Sequence, residues 1–183
     1  MSVGCGDRER NKVEMNATDR FAEEAHQFVK WILEGSSLGR PAVREAIAHL
    51  MRLYLAALEL PLPGSDDLEH APEAVGIDDE NRCRVAGAIS HRFPFDLYGT
   101  VFNPLIVPSG ESTLGSLSDD LLDIYCDVAT GWREYEAGRR ARAIWEWGFN
   151  FRHHWGYHAT AAIGALHKWL ASEAPDQMGR ESP

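Results

Sequence analysis

Asp119, Asp120, Asp123 and Asp127 crowd a short stretch of the chain. On a helix, residues four apart share a face with Cβ atoms roughly 5–6 Å apart, near enough for two carboxylates to share a divalent cation. Further on, His153 is followed by His154 and His158. The last two stand one helical turn apart, a spacing at which two imidazoles can grip a metal ion. Asp119, Asp123, Asp127, His154 and His158 are therefore the candidate metal ligands. The chemistry they would support is hydrolysis by a metal-activated water. The zinc-protease pattern His-Glu-x-x-His is absent, because Trp155 stands where it needs glutamate. Glu23-Glu-Ala-His26 contains one Glu-x-x-His, half of a di-iron signature, but Glu146 meets Phe149 where a second histidine belongs. No nucleophile elbow, phosphate-cradling loop or dinucleotide fingerprint occurs.

A plainer reading competes with the metal. Projected at about 100° per residue, Asp119, Asp123 and Asp127 fall on the side of their helix away from Leu121, where water is expected. Their negative charge also suits the positive end of the helix. His158 falls in the apolar seam of its own helix, which predicts a buried, neutral imidazole hydrogen-bonded to a backbone carbonyl or to a carboxylate, Asp120 or Asp127 across the helix pair.

The elements that position these residues are helical. Phe21, Ala25, Phe28 and Ile32 recur at helical spacing from Thr18 to about Gly35. Pro41 opens a second helix that runs to about Leu60, and a shorter one is expected from Asp79 to about His91. The Pro- and Gly-rich stretch from Pro61 to Asp78 reads as a loop. Phe93 to Gly115, with Pro94, Pro104 and Pro108, reads as an extended connector whose Val101, Phe102 and Ile106 pack inward, with little or no sheet. Ser118 is the expected cap of a helix running to about Glu136, whose seam is Leu121, Tyr125, Val128, Trp132 and Tyr135. From Arg139 to Trp169 one apolar face continues as a long central C-terminal helix, with Gly148 and Gly156 as places where it kinks or splits. Facing seams are expected to bury Leu121, Tyr125, Val128, Phe151, Trp155, Ala162 and Leu166 together. The fold class is all-α: one helical bundle of five or six helices over residues 17–172, with flexible tails at 1–16 and 173–183.

At 183 residues with 44% hydrophobic and 25% charged residues, the chain can bury one core unaided. A formal charge of −10 argues against a nucleic-acid surface. Arg139, Arg140 and Arg142, the only basic cluster, are placed to pair at the surface with the aspartates of a neighbouring helix. No apolar run reaches the roughly 20 residues of a membrane span, and the polar N-terminus is unlike a signal peptide, so a cytoplasmic location is expected. Cys5, Cys83 and Cys126 are odd in number and far apart, and read as reduced thiols.

Three strings, Leu53 to Pro61 (LYLAALELP), Ser118 to Asp127 (SDDLLDIYCD), and Trp155-Gly156 leading to Ala165-Leu-His167, resemble a bacterial family known as a domain of unknown function, the 5063 family. The resemblance spans roughly residues 20–170 and implies no activity. Without a complete catalytic motif, the sequence is read first as a non-catalytic module that binds a protein partner or a second copy of itself. The alternative is a metal-dependent hydrolase or other metalloprotein with a divalent ion held by the aspartate and histidine cluster.

Overall fold

The computed structural model describes residues 15–61, 74–101, 104–106 and 112–172. The tails expected at 1–16 and 173–183 lie outside the described residues, apart from Met15 and Asn16. So does most of the loop expected between Pro61 and Asp78. The elements are α1 (Ala17–Glu34), α2 (Arg40–Leu58), α3 (Asp79–Ile89), β1 (Leu97–Val101), β2 (Ser112–Ser116), α4 (Leu117–Glu136), α5 (Arg140–His153) and α6 (Trp155–Ser172).

Asn16 belongs to the fold rather than to a tail, because its side chain caps α1 by accepting from the Asp19 N–H at 2.9 Å. The apolar stripe Phe21, Ala25, Phe28 and Ile32 is fully buried. At the other end of α1, the buried Arg92 guanidinium donates to the Trp31 carbonyl at 3.1 Å and lies 4.3 Å from the Trp31 ring centroid. A cation there satisfies an orphan carbonyl and meets the negative end of the helix. α2 starts after Gly39, whose φ of 59° suits glycine, and Pro41 occupies its first turn.

Helix α4 is the axis of the domain, in contact with α1, α3, α5 and α6. Leu121, Ile124 and Val128 on α4 are fully buried, as are Trp147, Trp155, Ala162 and Leu166 opposite them. Phe151, expected inside with them, is only partly buried. The close approach of α5 to α4 depends on Gly131, where a Cβ would lie 2.3 Å from Trp147 Nε1. That indole instead donates to the Val128 carbonyl at 3.0 Å.

Three details differ from the sequence reading. The connector contains an antiparallel hairpin, β1 with β2, in which Leu97 pairs with Ser116 and Val101 with Ser112. Its prolines flank the strands instead of interrupting them, and Val101 and Ile106 are exposed, while Phe93 and Phe95 pack against the core. Phe102 and Pro108 lie outside the described residues. The cap of α4 is Ser116, whose hydroxyl accepts from the Asp119 N–H, while Asp96 accepts from the Ser118 N–H at 2.8 Å, so two first-turn amides are satisfied. The long C-terminal helix is two helices, broken at His154, where φ is −145° and ψ −88°.

Candidate metal centre

The break at His154 lies against the first three turns of α4. Asp120, Asp123 and Asp127, spaced three and four apart, line the face of α4 that meets it. His154 occupies the junction itself and His158 lies one turn into α6. His154 Nδ1 is 2.7 Å from Asp127 Oδ2, and His158 Nδ1 is 2.8 Å from Asp120 Oδ1. With each Nδ1 engaged by a carboxylate, each ring has its Nε2 left for another partner. His158 Nε2 points toward Asp123, 3.7 Å from its Oδ2. One ligand atom from each of Asp123, His154 and His158 lies within 4.8 Å of the other two.

A second layer holds these groups. The Tyr98 hydroxyl donates to Asp120 Oδ2, so both oxygens of this buried carboxylate are engaged. Tyr98 reaches it by lying flat over Gly115 on the neighbouring strand, where a Cβ would come within 2.6 Å of the ring. On the outer side, Arg82 of α3 places Nη2 4.0 Å from Asp123 Oδ1, and its Nη1 donates to Cys126 Sγ at 3.0 Å.

The electrostatics follow from these contacts. The hydrogen bond to Asp120 raises the His158 pKa above its ordinary value, more than burial lowers it. The Asp120 carboxylate thus acts on the His158 ring against the effect of burial. Burial pushes the Asp127 carboxyl up, against the hydrogen bond from His154. Burial and the Asp120 carboxylate together push the Tyr98 hydroxyl far up, which keeps it a donor. Burial raises the Cys126 thiol as well, the opposite of what a reactive cysteine needs.

Of the residues singled out in the sequence, Asp123, Asp127, His154 and His158 are brought together. Asp119 is not: it is exposed in the first turn of α4, held at its N–H by Ser116. The aspartates do not share one solvated face, since the Asp127 side chain is only 17% exposed. A projection about one seam misplaced them, because α4 is enclosed by neighbours on several sides. Asp120 is more central than the sequence indicated, and Tyr98 and Arg82 carried no sequence signal. His153 points away and packs on Phe149 at 4.7 Å. His26 packs edge-on against Trp132, and Glu23 accepts from Gln27, so neither joins the cluster. Of the three arginines, Arg140 meets an aspartate of another helix, Asp19 of α1, whereas Arg139 pairs with Glu134 of α4 and Arg142 with Glu146 of its own helix.

The model of a family described as a domain of unknown function, DUF5063, matches residues 12–172. The chain belongs to this family. Its fold is similar to the crystal structure of protein BF1032 from Bacteroides fragilis, at 21% identity, 89% coverage of this chain and 96% of that one, and a TM-score of 0.68. No curated protein matches the chain. Family membership and fold are thus shared, and neither carries an assigned activity.

The junction that presents both histidines has no spare volume. A Cβ on Gly156 would lie 2.2 Å from the Phe151 carbonyl oxygen, whereas one on Gly164 would meet nothing within 4 Å. Gly156→Ala is expected to destabilise the protein by about 1–3 kcal/mol, the range for overpacking. Gly164→Ala should be neutral or stabilising, since alanine favours a helix over glycine. Chemical denaturation of the two variants measures this, and equal midpoints would contradict a tight junction.

Proposed function

We propose that this protein binds a divalent metal ion through Asp123, His154 and His158 and that its activity is metal-dependent hydrolysis. The observation that supports this reading is the tying of both Nδ1 atoms to carboxylates, Asp127 for His154 and Asp120 for His158. Metal-binding histidines characteristically give their second nitrogen to such a partner, which fixes the ring and its tautomer. Two imidazoles and one carboxylate form a three-ligand set that leaves positions for water and substrate. Ligands held about 2.0–2.2 Å from an ion lie roughly 3.3 Å apart, and one ligand atom from each of the three residues already lies within 4.8 Å of the other two. Imidazole donors favour zinc or iron over magnesium, which prefers oxygen. When bound, the ion supplies Lewis acidity that activates water at neutral pH. Asp120, Asp127 and Tyr98 hold the imidazoles in place, and Arg82 balances the charge of Asp123.

The test is a thermal titration of chelator-stripped protein, free of any histidine tag, with zinc, manganese and magnesium. Zinc at 100 times its dissociation constant should add about 2.7 kcal/mol. His154→Ala and Asp123→Ala should each abolish the gain, and Asp120→Asn should weaken binding by about 10–100-fold. Indifference to all three ions would sink the proposal, as would a zinc response that survives His154→Ala.

A non-catalytic interaction role is supported by a different observation. Met51, Leu55 and Leu58 on α2 are 49%, 62% and 61% exposed and fall at the i, i+4, i+7 spacing of one helix face. Such a stripe fits a partner helix or a second copy of the chain. Sedimentation of the native protein should then show a dimer that Leu55→Glu returns to monomer. A native monomer at all concentrations, unaltered by Leu55→Glu, would leave the self-association form of this reading without support.

A further inference from the structure

Between the hairpin and α6 lies a cavity of about 540 Å³. That is within the usual range for small-molecule sites, about 300–1,000 Å³. One wall is aromatic: Phe95 and Trp169 stack with centroids 6.4 Å apart and planes 24° from parallel. The floor is α6, where Gly164 and Ala165 leave the space open; a Cβ at Gly164 would touch nothing within 4 Å.

The two ends differ in chemistry. At one end stands Tyr98, whose hydroxyl binds the same Asp120 that holds His158. On α6, His158 is in line with the cavity-lining Ala165, seven residues or about two turns further on. The cavity therefore runs along the helix from the neighbourhood of the aspartate and histidine cluster. Toward the other end stands Lys168. Among the described residues Lys168 forms no ion pair, in a chain with 28 acidic and 18 basic residues. Ten residues separate His158 from Lys168, roughly 15 Å of helix.

We infer that this groove binds a medium-chain carboxylate, with its acyl chain against Phe95 and Trp169 and its carboxylate at Lys168. The apolar walls suit a hydrocarbon body, and the Lys168 ammonium, which forms no ion pair among the described residues, suits one negative charge. The groove is assigned as a binding site independent of the metal reading above, because the hydrocarbon end of such a ligand has no bond that a metal-activated water could cleave.

The test is calorimetric titration of the full chain with octanoate and, separately, with octanol. Octanoate should bind more tightly than octanol, which lacks the charge. Gly164→Leu fills the groove with a better helix former and should weaken octanoate binding at least tenfold. Lys168→Gln, on the surface, should weaken it about threefold to fivefold, the worth of one exposed ion pair. Zinc affinity should be unchanged in both variants. Equal binding of octanoate and octanol, or octanoate binding untouched by Gly164→Leu, would overturn the assignment. Zinc bound through Asp123, His154 and His158 with no octanoate bound removes the groove alone. Octanoate bound in the groove by a protein that takes no zinc upholds the groove and removes the metal reading.

Discussion

A carboxylate taken out of water on the inner face of a helix must be met by donors from the elements opposite, and Asp120 imposes that requirement on α4. The residue is 6% exposed. Left unpaired, a charge so buried would cost several kcal/mol. His158 and Tyr98 answer it from two different elements, so one aspartate fixes how α6 and the hairpin sit against α4. Asp127 makes a similar demand about two turns later, and His154 meets it. Between them, Asp123 has no imidazole Nδ1 of its own, and its carboxylate faces the Nε2 of His158 instead.

The backbone that delivers the histidines is shaped by contacts that leave little freedom. Trp147 lies against Gly131 and donates to the Val128 carbonyl, which sets α5 close to α4. Trp155, fully buried at the start of α6, donates to the Trp147 carbonyl at 3.2 Å and so anchors the second helix to the first. His154 lies between these anchors, in the one residue that neither helix includes. A continuous helix would carry His154 and His158 on one face of a straight rod. With the break, their rings meet edge to face, 4.8 Å apart, over the α4 carboxylates. Packing of the tryptophans is thus the source of the site's geometry.

Much of this arrangement was legible in the sequence, where a period or a cap announced it. The apolar stripes of α1, α2 and α4 fixed those helices to within a residue or two, and the aspartates and histidines stood out by type and spacing. The hairpin was hidden because its strands, LYGTV and STLGS, are short and carry no strict alternation of apolar and polar residues. The helix is capped by Ser116 and not Ser118, with Asp96, twenty-two residues earlier, meeting the Ser118 N–H inside the first turn. Local rules do not register so distant a partner. Tyr98 and Arg82 escaped notice for the same reason: a tyrosine in a strand and an arginine on a polar helix are unremarkable until the tertiary fold sets them beside Asp120 and Asp123. Periodicity reports the burial of His158 and not the charge of its partner, Asp120.

The central claim is that the two imidazoles and Asp123 converge on one ion with Asp120 and Asp127 behind them. X-ray absorption spectroscopy of the zinc-loaded protein tests it at the atoms concerned. The account predicts a first shell of nitrogen and oxygen at about 2.0–2.2 Å, with the outer-shell scattering of two imidazole rings and no sulfur. A sulfur shell at about 2.3 Å, which would place the ion on a cysteine such as Cys126, or a spectrum without imidazole scattering, would contradict it.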